Sequence, residues 1–181
     1  NAVTTAFTKY ATQVWSRDVG GAAMCLMIAT GGAIVSYIPV GFLSSRFGRK
    51  RMILLGVAIL ALCFGAAGFF ADFSPVMYVF FVLIGFGWAS INVNSYPMVV
   101  EISRGGTIGK YTGYYYTFSM AAQIVTPIVS GALLEHVGYH TLFPYATAMV
   151  ALSFITMLRT RHGDSRPEPP PSKLEAFDAM D

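Results

Sequence analysis

Residues 41–51 decide the fold, and they read Gly41-Phe42-Leu43-Ser44-Ser45-Arg46-Phe47-Gly48-Arg49-Lys50-Arg51. Four basic side chains stand here in a short turn between two strongly apolar segments. A charged side chain at the centre of a bilayer costs about 2.5 to 3.5 kcal/mol, so these residues must lie at a membrane surface. Because cytoplasmic loops are rich in Lys and Arg, we expect this loop to face the cytoplasm.

Composition supports membrane residence. Hydrophobic residues make up 55% of the 181 residues and charged residues only 12%, about half the charged share of a soluble domain. The net charge of +3 does not indicate nucleic-acid binding, because the bases flank apolar segments and do not form a soluble basic face. Cys25 and Cys63 lie in apolar runs, so neither a disulfide framework nor a metal site is expected.

Five segments are long and apolar enough to cross about 30 Å of hydrocarbon as helices. We place them at about 22–43, 52–71, 76–100, 113–134 and 140–158, within a membrane region at 20–158. Residues 1–19 are predicted to be the outer end of an incomplete helix followed by an external loop. Residues 159–181 are rich in Pro and poor in large apolar groups, which predicts a disordered cytoplasmic tail.

The basic residues also predict orientation. Ten of the twelve fall on one predicted side of the membrane, and only Lys9 and Arg17 fall on the other. The first side should be cytoplasmic, so we expect a multi-pass protein of the plasma (inner) membrane with a cytoplasmic C-terminus.

The loop resembles the cytoplasmic signature of the major facilitator superfamily, with Gly41 and Gly48 in place and Ser45 where an acid is usual. The stretches 94–101, 109–119 and 127–145 are similar to the C-terminal half of bacterial sucrose-proton symporters and glycoside-pentoside-hexuronide cation symporters. This resemblance implies an all-α C-terminal half of a twelve-helix carrier, from the end of helix seven to helix twelve, with its first helix incomplete. It also implies alternating-access transport of a small polar solute, such as a sugar or glycoside, coupled to a cation such as a proton.

Two polar stripes predict a substrate path. In the fourth span, Thr112, Tyr116, Ser119, Gln123 and Thr126 are spaced to share one helical face. Interhelical hydrogen bonding is the alternative use of such a stripe, chiefly for Ser119 and Thr126.

The third span carries Trp88 and Asn92 one turn apart, and an indole beside an amide suits a sugar. Packing is the alternative role of Trp88. In sugar-carrying members of the resembled family, a tryptophan of the corresponding helix contacts the sugar. The predicted substrate-binding residues are therefore Trp88, Asn92, Tyr116, Ser119 and Gln123.

A cytoplasmic gate is predicted from Arg46, Arg49 and Glu101. Glu101 ends the third span on the same side as the basic loop, and the resembled transporters latch their inner side with such loop bases and helix-end acids. The alternative is that the loop bases set orientation and bind anionic headgroups.

No Asp, Glu, Lys or Arg lies in the interior of a predicted span. A coupling cation is therefore expected to bind in a missing N-terminal half or at backbone carbonyls. Residues 104–112 depart from a phosphate-binding loop, and no catalytic or metal-ligand spacing is present, so we predict neither an enzyme nor a cofactor. The open alternatives are a drug or organic-anion exporter on the same fold and a half-length membrane subunit with a structural role. The expected partners are a small solute and the bilayer, without nucleic acid.

Overall fold

The computed structural model describes residues 2–102 and 107–160, without the side chains of Ala2 and Ile102. Within these residues, six α-helices follow one another: α1 (Ala2–Gln13), α2 (Val19–Phe47), α3 (Arg49–Ala67), α4 (Val76–Ile102), α5 (Ile108–His136) and α6 (Leu142–Arg159). A 3-10 turn, Tyr139–Thr141, precedes α6. The predicted all-α membrane fold is confirmed, because five of these helices have the length and apolar composition to cross a bilayer. Of the tail predicted at 159–181, residues 161–181 lie outside the described residues.

The helix ends follow local chemistry. Asp18 caps α2, because its carboxylate accepts a hydrogen bond from the backbone N–H of Gly21 at 3.2 Å. Helix α2 therefore starts at Val19, three residues before the predicted 22. Gly48 has a φ of 95°, a value that favours glycine, and this single residue separates α2 from α3. It explains why the second glycine of the loop signature is needed, whereas a Cβ at Gly41 would meet no described atom within 4 Å.

Glycines bring α4 into backbone contact with two neighbours. A Cβ added at Gly85 would collide with the carbonyl oxygen of Ala29 on α2. One added at Gly56 of α3 would lie 2.6 Å from the carbonyl oxygen of Gly87 on α4. Helix α4 is thus packed between α2 and α3, and α6 packs against α3.

The ends of these helices lie at two chemically different ends of the bundle. At one end, which we call the aromatic end, the buried Trp15 donates its indole N–H to the carbonyl of Phe70 at 3.1 Å. Its ring also stacks on Phe143 of α6 with a centroid distance of 5.7 Å. These contacts tie the segment after α1 to the rest of the bundle. The other end carries the basic loop and is called the basic end.

Helix α5 is the least enclosed of the described helices. Its buried residues are Ser130 and Leu134, both near its C-terminal end. Along the rest of α5, apolar side chains such as Ile124 and Phe118 are largely exposed. An apolar helix with so little cover must meet either lipid or further protein.

Candidate functional site

An ion pair joins α3 to α4 at the basic end. Arg49 Nη1 donates to Glu101 Oε2 at 2.6 Å, and the two side chains are 31% and 21% exposed. The next residue, Lys50, donates from Nζ to the carbonyl of Leu158 at 3.2 Å. The last carbonyls of a helix carry partial negative charge, so the first turn of α3 supplies cations to the C-terminal ends of both α4 and α6.

Arg46 lies apart from this ion pair. It is exposed in the last turn of α2, and its guanidinium is 5.8 Å from the ring centroid of Phe47. Of the two arginines predicted for the gate, Arg49 is therefore the one that contacts Glu101 in this structure. The sequence did not distinguish them, because the contact with Glu101 depends on how α3 and α4 pack against each other.

A central cavity of about 510 Å³ opens between the helices, with at least one lining residue from each of α1 to α6. Its aromatic walls are Tyr37, Phe64, Phe81, Trp88 and Tyr145, and threonine hydroxyls are contributed by Thr4, Thr30 and Thr126. None of the described residues that line it is charged. Its size lies within the range of small-molecule sites, and its lining is mainly apolar with a few polar groups, as such sites usually are.

Two members of the predicted polar stripes meet at this cavity. Trp88 of α4 and Thr126 of α5 both line it. Asn92 is exposed, and its amide donates to the carbonyl of Trp88 at 2.9 Å. Gln123 is exposed on α5 and does not line the cavity.

Tyr116 and Ser119 lie nearer the basic end. The ring of Tyr116 is 6.0 Å from that of Tyr96 and 5.3 Å from that of Tyr115. Ser119 lines a separate groove beside these rings. The five predicted substrate residues therefore do not surround one enclosed site within the described part of the chain.

Sequence reasoning missed most of the cavity wall, including Tyr37, Phe81 and Tyr145. Each is an aromatic residue within an apolar run, and such residues are as common in packing as in ligand sites. Their convergence depends on how helices distant in sequence pack. Within 2–102 and 107–160, no group of three or more His, Cys, Asp or Glu side chains is placed to hold a metal ion.

The family is decided by comparison of the whole chain. Residues 2–179 match the model of the Major Facilitator Superfamily. The chain belongs to the Major Facilitator Superfamily. It is 27% identical over 141 residues to the tetracenomycin C resistance and export protein of Streptomyces glaucescens, a match that covers 78% of this chain and 26% of that protein.

Two further relatives match part of the chain. The chain is 27% identical over 125 residues to the chloramphenicol resistance protein CraA of Acinetobacter baumannii, covering 69% of the chain and 30% of that protein. It is 34% identical over 90 residues to solute carrier family 22 member 6 of Danio rerio, covering 48% and 16%. The chain spans about a quarter of the length of the first two of these relatives. The superfamily consists of membrane transporters, which agrees with the expectation that the protein is not an enzyme.

Proposed function

We propose that this chain forms one half of the translocation path of a transporter that exports aromatic organic compounds by alternating access. The observation that carries the proposal is the central cavity, whose wall has five aromatic side chains and no charged residue among those described. Aromatic solutes gain from burial against such walls and from offset or edge-to-face ring contacts. The names of two relatives, a tetracenomycin C export protein and a chloramphenicol resistance protein, support the same substrate class.

A sugar or glycoside is the second candidate. Trp88 lines the cavity, and an indole face suits the apolar C–H face of a sugar ring. However, every hydroxyl of a buried sugar needs a hydrogen-bond partner, and an unsatisfied one costs about 1 to 3 kcal/mol. The few threonine and tyrosine hydroxyls of the cavity favour a less polar solute.

The remaining predicted site residues fit a path shared with a second half. We propose that Tyr116 and Gln123 of α5 and Asn92 of α4, all exposed, face protein outside this chain. Ser119 is partly buried and is proposed to act through the groove that it lines. The chain would then supply the C-terminal half, with its basic end in the cytoplasm of a plasma-membrane protein. A coupling cation would bind outside the described residues, whose Asp and Glu side chains stand at helix ends and in connections.

The ion pair between Arg49 and Glu101 supports a proposal about the cytoplasmic gate. We propose that Arg49 and Glu101 latch the cytoplasmic side while the transporter opens outward, with Arg46 available to the partner half. An ion pair that is about one quarter exposed is weak enough to break during transport, since such pairs contribute on the order of 1 kcal/mol or less.

An accumulation assay tests the substrate class. The natural gene that encodes this chain would be expressed in bacteria that lack their own exporters, and cell content of radiolabelled chloramphenicol and sucrose would be measured. We expect lower chloramphenicol content than in cells with the empty vector, and unchanged sucrose. Trp88→Leu should reduce this export, whereas a lipid-exposed control such as Leu62→Ala should not. Sucrose accumulation without any effect on chloramphenicol would establish the sugar alternative.

A further inference from the structure

A second aromatic surface, which we call the tyrosine groove, lies between the central cavity and the basic end. It has a volume of about 540 Å³ and is lined by Val99 of α4 and by Tyr111, Tyr114, Tyr115, Phe118 and Ser119 of α5. Its position along α5 separates it from the cavity: Ser119 and Thr126 are seven residues apart, roughly 10 Å of helix. The tyrosine groove and the central cavity therefore lie at different positions along α5.

The groove contains one ring that is packed against its neighbours and two rings that are exposed. Tyr115 packs edge-on against Tyr116 with an interplanar angle of 74°, and it lies 6.0 Å from the ring of Tyr96 on α4. By contrast, Tyr114 is 52% exposed and Phe118 is 73% exposed. A packed inner ring beside two exposed ones leaves aromatic surface open to a planar solute.

One cation stands at the rim of the groove. The ammonium of Lys110 lies 5.8 Å from the ring centroid of Tyr114, one turn along the same helix face, and the Lys110 side chain is exposed. The groove thus combines ring faces with a positive charge at its end nearest the membrane surface. This combination is complementary to an aromatic molecule that carries one negative charge.

We propose that the tyrosine groove is a loading site for an aromatic organic monoanion, with the ring against Tyr114 and Phe118 and the anionic group at Lys110. The inference deepens the proposed function and rests on it, since the groove would supply solute to the central cavity. The occupant is a solute and not a lipid. The lining rings receive the apolar body of the ligand, and the charge at the rim selects its sign.

Direct binding tests the proposal. The natural gene product that contains this chain would be placed in nanodiscs of phosphatidylcholine, and saturable binding of radiolabelled naphthalene-2-sulfonate and of neutral naphthalene-2-methanol would be measured. Lys110→Gln should weaken sulfonate binding about three- to tenfold and leave methanol binding unchanged. Lys110→Arg should preserve sulfonate binding. Lys9→Gln, which removes an exposed lysine of α1, is the matched control and should change neither.

Two substitutions separate the groove from the cavity. Tyr114→Leu should weaken binding of both probes, while Tyr114→Phe should not. If Trp88→Leu removes sulfonate binding and the Lys110 and Tyr114 variants do not, the groove proposal is overturned while the central cavity of the proposed function stands. If only the groove variants lose sulfonate binding, the groove proposal is supported, and the central cavity is tested separately by chloramphenicol export in Trp88→Leu. Absence of saturable sulfonate binding would also overturn the groove proposal.

Discussion

At the residue scale, the position of one base relative to a single glycine decides which arginine meets Glu101. Gly48 ends α2, so Arg46 remains on that helix while Arg49 begins α3. The 2.6 Å contact between Arg49 and Glu101 then joins α3 to α4, with Lys50 reaching the end of α6 beside it. The adjacent residues Arg49 and Lys50 therefore contact different helices, α4 and α6.

Glu101→Gln should lower the free energy of unfolding by about 1 kcal/mol, a value discounted for the partial exposure of the pair. Exchanging the charges in Arg49→Glu with Glu101→Arg should recover part of this loss. The measurement is thermal unfolding in detergent, followed by a thiol-reactive dye that reports exposure of the buried Cys25 and Cys63. Arg46→Gln is the control and should have little effect; a loss equal to that of Glu101→Gln would show that the pair is not specific.

At the scale of elements, glycine contacts determine how closely α4 packs. The backbones of α2 and α4 touch at Gly85, and those of α3 and α4 touch at Gly56 and Gly87. In a membrane, where lipid is as apolar as the helices, such close contact is a main source of helix association. Glycines elsewhere in the spans, such as Gly131 of α5, have open space beside them.

Gly85→Ala should destabilise the protein by about 1 to 3 kcal/mol, because the added methyl group meets backbone atoms of α2 that cannot rotate away. Gly131→Ala should instead be neutral or stabilising by up to about 1 kcal/mol, since it adds helix propensity without a clash. The same dye-based melting experiment compares them. Equal and small effects of the two substitutions would contradict the close α2–α4 contact.

The open stripe of α5 carries a second prediction at this scale. In the natural gene product, Gln123→Ala should weaken substrate recognition by about 1 to 3 kcal/mol if its amide pairs with a buried polar group of the solute. Ile124→Ala is the matched control, because Ile124 is 66% exposed on a different face of the same helix. The readout is the concentration of solute that gives half-maximal transport. An unchanged value for Gln123→Ala would assign the amide to helix packing.

At the scale of the whole molecule, the basic end and the aromatic end should face opposite sides of the membrane. After Cys25 and Cys63 are replaced by Ala, single cysteines at Ser45 and Thr107 should resist an impermeant thiol reagent in intact cells. A cysteine at Asp72, which is exposed near the aromatic end, should react. Permeabilised cells provide the control, in which all three should be labelled. Reaction of Ser45→Cys from outside would reverse the orientation.

At the same scale, the proposal that this chain is one half of a transporter makes a prediction about its activity by itself. If this chain supplies one half of the transporter, as proposed, it lacks by itself the opposing half that alternating access requires. Reconstituted into liposomes, the 181-residue chain should therefore show no saturable transport of solutes that the natural gene product carries. Saturable transport by the chain itself would instead support two copies acting together, in line with the half-length subunit alternative.

The sequence by itself determined the membrane fold, the number of spanning helices and the ends that carry charge. These properties depend on local hydrophobicity and on the cost of burying charge, both of which are readable along the chain. The loop signature around Gly48 likewise indicated the superfamily that the comparison confirmed. The proposed site was predictable only in part: Trp88 and Thr126 meet at the cavity, whereas Gln123 does not line it.

Only the tertiary structure decided which side chains converge. The pairing of Glu101 with Arg49, the backbone contact at Gly85 and the cavity wall from Tyr37 to Tyr145 all join residues far apart in sequence. Helical spacing predicts which residues share a face of one helix, but it does not say which face of which neighbour they meet. That choice is made by packing, because close contact between small residues sets the position of every helix against the next.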